Sequence, residues 1–197
     1  MRRVKVSRQR QVKTYAELRH ASHVMLEKAE KDKEGSFYQV MASLVFTAFM
    51  MEAYLNHIGP QIFKCWGDLE RLSPLSKLDL IAEKLGAEKD DGKRPYQTLS
   101  ELFRFRNTLA HGKSASLKSD NEVRLVDKQF DEYRYRHAFL ETEWEKYCTL
   151  DNASQALEDT ETIIKEIHGY IDKTGNFPFS FGMQSTLSTL LPEEQAE

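Results

Sequence analysis

From 12 to 29 the apolar side chains Tyr15, Leu18, Met25 and Leu26, with the small Ser22 among them, recur at three- and four-residue steps. Lys and Glu take the positions between. That period predicts an amphipathic first helix, closed by the polar run 30–35. Ser36 followed by Gln39 has the spacing of a capping box and predicts the start of a second helix. Gly59-Pro60 predicts its end near Ile58. Leu44, Phe46, Phe49, Met50, Met51, Tyr54 and Ile58 leave this helix almost no polar side. A helix apolar all round belongs at the centre of a bundle or in an interface between subunits.

Ser73-Pro74 has the form of a cap with proline at the first helical position. It predicts a shorter helix through Leu78, Ile81 and Leu85 that ends at Gly86. A turn at 90–93 follows, then a helix opened by Pro95 that runs to His111. Gly112 stops it as a left-handed cap. The segment 113–150 reads as polar and irregular, with a short extended piece at 122–127 and a helical stretch at 137–148 around Trp144. A last long helix at 152–173 carries Leu157, Ile163, Ile164, Ile167 and Ile171 on one stripe and ends before Gly175. The aromatics of 177–181 are expected to fold back onto the bundle, leaving a disordered end.

The predicted fold class is therefore all-α, an up-and-down helical bundle of about five helices with an irregular insertion before the last long helix. The chain divides into a basic N-terminal tail at 1–11, the bundle at 12–175 with its insertion at 113–150, and an aromatic segment with a flexible acidic tail at 176–197. No internal repeat is visible. A length of 197 residues with 40% hydrophobic and 30% charged positions suits one globular unit. Two distant cysteines, Cys65 and Cys148, point to a reducing, cytoplasmic setting rather than a disulfide-stapled secreted one. The most apolar run, 40–51, is too short to cross a bilayer and is followed by Glu52, so membrane insertion is not expected.

The net charge of −3 is no general argument for nucleic acid, but its distribution is uneven. Residues 1–13 hold six Lys or Arg and no acid, whereas 151–197 hold nine Asp or Glu against two Lys. Such asymmetry either attracts phosphates or a partner to one end, or is simply solvated surface.

Two polar positions conflict with the hydrophobic pattern. On the helix ending at His111, Leu99, Leu102, Phe103, Leu109 and Ala110 fall in a sector centred on Arg106. A lone guanidinium there would be costly, so it needs an anion or a wet cleft. On the second helix Glu52 lies among Val45, Ala48 and Phe49, with Asn56 one turn on. Opposite charges on two buried faces predict a structural ion pair or a shared polar site. His111 closes its helix, where the end of the dipole favours a cation. Asn107 shares its face, and Arg104 and Lys113 complete a cationic tip. These residues suit a buried polar network, a catalytic site, or a non-catalytic nucleotide-binding site. No Walker loop, dinucleotide turn, zinc spacing or nucleophile elbow is present. His20 and His23 share a face without a third ligand type, so neither a metal nor a cofactor is expected.

The sequence Arg106-Asn107-Thr108-Leu109-Ala110-His111 resembles the Arg, four-to-six-residue, His signature of the HEPN (higher eukaryotes and prokaryotes nucleotide-binding) family, including the polar residue after Arg. Glu52-Ala53-Tyr54-Leu55-Asn56 looks like that family's second helix, and the similarity covers roughly 10–112 and 150–172. The resemblance implies a metal-independent endoribonuclease acting as a homodimer in a microbial defence or toxin–antitoxin setting. Arg106 and His111 would be catalytic, Asn107, Glu52 and Asn56 supporting, and Arg104 and Lys113 would contact RNA phosphates. It also implies, as an alternative, a non-catalytic module that binds a nucleotide or a nucleotidyltransferase-type partner chain; a purely structural dimerisation bundle is a third reading, apart from the resemblance. An antitoxin is a further possible partner. One toxin subgroup has a modifiable Tyr where this chain has Lys113, so that regulation does not carry over.

Overall fold

The computed structural model describes residues 3–32, 34–118 and 140–190. Within them lie seven helices and one two-stranded sheet: β1 (Val4–Arg10), α1 (Thr14–Lys31), α2 (Phe37–Ile62), α3 (Trp66–Leu69), α4 (Pro74–Leu85), α5 (Tyr96–Ala110), α6 (Glu143–Tyr147), α7 (Leu150–Ile171) and β2 (Gln184–Leu190). The five long helices are the expected ones. Of the two short ones, α6 falls inside the helical stretch expected at 137–148 but spans only Glu143–Tyr147 among the described residues, whereas α3, about a turn long, was not expected, being below the length at which periodicity is readable. The extended piece expected at 122–127 lies outside the described residues, as does the tail beyond Leu190.

α2 is the central element and packs against α1, α3, α4, α5 and α7. Val40, Leu44, Ala48, Met50, Met51, Tyr54, Leu55 and Ile58 are all buried there. By length and composition it is the one described helix that would suffice to cross a membrane, yet half of that span is buried inside the protein. Its contact with α1 is close because the meeting residues are small. Ser22 Oγ lies 2.9 Å from Ser43 Oγ, 2.8 Å from Thr47 Oγ1 and 3.0 Å from the Ser43 carbonyl oxygen. All three residues are buried and mutually satisfied, so the network locks the register of the pair without stranding a polar group. Together with the edge contact of Tyr15 on Tyr54, it makes α1 and α2 antiparallel.

α7 closes the bundle with two buried carboxylates that the apolar stripe did not reveal. Asp159 accepts both Nε (2.8 Å) and Nη2 (2.9 Å) of Arg94, just before α5. Glu161 accepts Arg19 Nε (2.7 Å), His23 Nε2 (2.7 Å) and Lys165 Nζ (3.0 Å). Burial pushes the Glu161 carboxyl upward, but the hydrogen bonds from Arg19, His23 and Lys165, with the charge of Arg19, outweigh that and hold it below the usual carboxylate range. Tyr96 meets Glu166 at one end of α5, and Phe105 meets Tyr147 at the other. α5 is therefore antiparallel to α7, and His111 sits at the end where α7 begins.

Four expectations need correction. The Ser36–Gln39 capping box does not form, because Ser36 is itself helical (φ −67°) and its side chain caps nothing. α2 does not stop at Gly59-Pro60. It continues to Ile62, with the Phe63 N–H donating to the Gly59 carbonyl at 2.8 Å. Proline lacks one donor there but has a helix-compatible φ, so one further turn is tolerated. Gly112 does not adopt a left-handed conformation, since among the described residues positive φ occurs only at Gly35, Gly86 and Gly175. A side chain at 112 would instead press on the Thr108 carbonyl oxygen at 2.9 Å, so glycine is required for clearance. Finally, the N-terminal segment is not an irregular tail. Val4 to Arg10 pair antiparallel with Leu190 to Gln184, and every residue of both strands is exposed. The partners are some 180 positions apart, and neither strand has a buried face to create an apolar alternation.

Gly59 is the tightest helix contact. A Cβ there would fall within the Trp66 indole, which is buried on α2 and has little freedom to turn away. Gly59→Ala is expected to lower stability by about 1–2 kcal/mol through overpacking, despite the better helix propensity of alanine. A denaturant midpoint at or above that of the parent would contradict this packing.

Candidate functional site

The polar positions flagged on α2 and α5 do meet. Arg106 Nη2 donates to Glu52 Oε2 at 2.7 Å, with the side chains 17% and 31% exposed. The guanidinium also lies 5.4 Å from the Phe103 ring centroid and 6.0 Å from that of Phe49. The cation thus has a carboxylate at its end and aromatic rings around it, which is why a charge is tolerated on this face. Its Nε is buried and has no partner among the described residues.

Asn56, expected beside the same site, is used differently. Its Oδ1 accepts from Lys77 Nζ at 2.9 Å. Lys77 is only 1% exposed, and its ammonium lies 6.0 Å from the Trp66 ring. The polar stripe of α2 therefore serves two cations, Arg106 from α5 and Lys77 from α4. Sequence reasoning missed Lys77, because one lysine between Leu75 and Leu78 reads as an outward position on an ordinary amphipathic helix.

His111 occupies the C-cap of α5, with its N–H bonded to the Asn107 carbonyl at 3.0 Å. Five residues at 100° each turn it about 140° away from Arg106 around the helix. His111 and Asn107, both exposed, line an open groove of 620 Å³ with Leu75, Ser100, Phe103, Arg104, Thr108 and Lys113. Arg106, Glu52 and Asn56 are not among its walls. Phe103 links the two arrangements, lying under the Arg106 guanidinium on one side and facing the groove on the other.

A second cleft of 690 Å³ wraps the other side of the same helix end, and Arg104, Thr108, Gly112 and Lys113 belong to both. Trp144, Tyr147 and Asn152 also line it, as do Glu101, Glu143 and Lys146. Burial pushes the Tyr147 phenol up to about 12, so it stays protonated and can donate a hydrogen bond across the physiological range. Two lobes thus meet around one helix end that carries Arg104, His111 and Lys113. Cationic donors beside aromatic walls suit a phosphate-bearing ligand with attached bases.

The set named from sequence therefore divides. Arg104, Asn107, His111 and Lys113 gather at the open end of α5, Arg106 and Glu52 form the seam beneath it, and Asn56 supports Lys77. Trp144, Tyr147 and Ser100 were missed as lining residues, because no local pattern marks a side chain that faces a groove built by distant elements. No group of three metal-ligating side chains occurs among the described residues. His23 is engaged by Glu161, and His20 lies edge-on to Phe181 at 6.0 Å. No family model, no curated protein and no solved structure matches the chain.

Proposed function

We propose that this chain is a HEPN-like endoribonuclease that cleaves RNA by attack of the 2′-hydroxyl, at a site completed across a two-fold dimer. The observation that supports this reading best is the exposed His111, at the tip of a helix whose Arg106 is anchored to the central helix. Around it an open groove carries Arg104, Asn107 and Lys113. One imidazole takes the proton from the 2′-hydroxyl as O2′ attacks phosphorus. The imidazole of the other subunit protonates the departing 5′-oxygen. The products are a 2′,3′-cyclic phosphate and a 5′-hydroxyl. One histidine per subunit cannot hold both roles in a single step, which is why the reading requires two. Arg104 and Lys113 reach phosphate from the groove. Arg106 either turns from Glu52 to the phosphorane or holds the helix tip in register.

Breakdown of a mixed RNA pool by wild type in EDTA, abolished in His111→Ala, is the test. The dimer is separately measurable. Light scattering at micromolar concentration is expected to give twice the chain mass, with an interface of about 1,200 Å² or more that includes the His111 end of α5. A monomer at that concentration would remove the composite site.

The Glu52–Arg106 pair favours one second reading. Because the motif arginine is already neutralised by a neighbouring carboxylate, the groove would then bind a nucleotide, or a nucleotidyltransferase-type partner, without cleaving it. Nucleotide binding by a folded wild type that leaves RNA intact would select this reading.

A further inference from the structure

The β1–β2 ribbon forms a second surface, at the opposite end of the bundle from His111. β1 and β2 carry Lys5, Arg8 and Arg10 and no carboxylate, although the whole chain is net negative. The register places Arg8 opposite Thr186 and Arg10 opposite Gln184, on the same face of the ribbon. Two residues of extended chain separate the two arginines by about 7 Å. The hydroxyls and amides of β2 supply further neutral donors of the kind that bind phosphate oxygens. Among the described residues Arg10 has one carboxylate near it, Glu17 at 3.6 Å, and both side chains are largely exposed.

An independent observation lies at the foot of the ribbon. The aromatic segment after α7 does not pack as a unit. Phe179 is buried under Arg19, but Phe177 and Phe181 are 55% and 54% exposed. Lys13 Nζ donates to Ser180 Oγ at 3.0 Å, placing an ammonium beside Phe181. Two exposed phenyl rings next to a row of cations are the two ingredients of sequence-tolerant single-strand binding, stacking and backbone neutralisation.

We infer that the ribbon and its foot form a docking strip for single-stranded RNA, with Arg8, Arg10 and Lys13 on phosphates and Phe177 and Phe181 stacking bases. This deepens the ribonuclease reading, and the choice of RNA over DNA rests on that reading. The strip is rooted where α1 begins and α7 ends, whereas His111 lies where α7 begins. The 22 residues of α7 put the two about 33 Å apart. A long RNA is held at both places; a dinucleotide reaches only the groove.

The experiment measures binding of a fluorescent oligouridylate to the full chain in a His111→Ala background, across a salt series. Phe181→Ala is expected to weaken binding about 10-fold. Arg8→Ser with Arg10→Ser is expected to lower the slope of log affinity against log salt by about 1.4. Arg8→Lys with Arg10→Lys should restore the slope, which separates lost charge from a lost ribbon. With His111 intact, the serine and alanine variants should cleave a dinucleotide like the parent and a long RNA more slowly. Affinity and slope unchanged in both variants would overturn the strip, as would binding to anionic phospholipid vesicles in place of RNA. Oligouridylate binding that depends on the strip, in a protein that cleaves neither substrate, would keep the strip and sink the ribonuclease reading.

Discussion

Replacing His111 by Ala is expected to slow cleavage of RNA by about 10²–10⁴-fold, the usual contribution of a positioned general acid or base. The side chain is exposed at the end of α5, and no described side chain caps or buries it. Its removal should therefore leave the thermal midpoint almost unchanged, so the loss is chemical rather than structural. The pH–rate profile of the wild type should be bell-shaped, because one imidazole must be neutral while its counterpart is charged. The ends produced should be 2′,3′-cyclic phosphates, and DNA, which lacks the attacking hydroxyl, should survive. Mixing the inactive variant with wild type offers a sharper check. If the two histidines come from two chains, a His111→Ala subunit combined with wild type forms heterodimers that lack one of the pair. Activity should then fall with the square of the wild-type fraction. A linear fall would place acid and base in one subunit and remove the composite site.

Arg106 tests a different part of the same scheme. Were it to touch the phosphorane, Arg106→Ala would lower the maximal rate far more than substrate affinity. Its present contacts are Glu52 and two rings. A lowered midpoint alongside the lost rate would identify a positioning residue, and the phosphate would fall to Arg104 and Lys113.

The long helices were legible because each has a signal that depends only on near neighbours. The Ser73 cap, whose Oγ accepts the Ser76 N–H at 3.1 Å, and the left-handed Gly86 (φ 69°) bound α4 where expected. The Glu52–Arg106 contact was legible for a related reason. A charge in the middle of an apolar sector must find a partner, and these two were the candidates on facing helices. What escaped notice depends on tertiary placement. β1 and β2 pair across nearly the whole chain with no buried face, so no periodicity announces them. The division of 177–181 into one buried and two exposed rings follows from where Arg19 and α7 stand. Lys77 reaches Asn56 only because α4 leans on the polar stripe of α2. The separation of Arg106 from the His111 groove was implicit in the 140° between them, but the site it creates depends on walls contributed by α6 and α4.

Glu52→Ala is expected to lower stability by about 2–3 kcal/mol, more than a surface ion pair and less than a fully buried one. Breaking a fully buried pair by removing one partner would cost about 3–5 kcal/mol. The observed 31% exposure of Glu52 lets water compensate part of the loss, while Arg106 at 17% cannot be fully rehydrated. Its Nε is already buried without a partner, so removing the carboxylate leaves a guanidinium whose described contacts are rings. Arg106→Met should be milder, because the carboxylate it strands is the more exposed partner and can hydrate. The double variant should recover part of the Glu52→Ala loss. A thioether chain against Phe49 and Phe103 keeps the packing while removing the stranded charge. The coupling between the two sites, read from a thermodynamic cycle of denaturant midpoints, should therefore be favourable and at least about 1 kcal/mol. Raising salt to near-molar should reduce it only slightly, since a partly buried pair is weakly screened. A cycle that closes to zero would mean the 2.7 Å contact stabilises nothing. The Arg106 side chain would then be free to leave Glu52 for a substrate phosphate, and the positioning role would give way to the catalytic one.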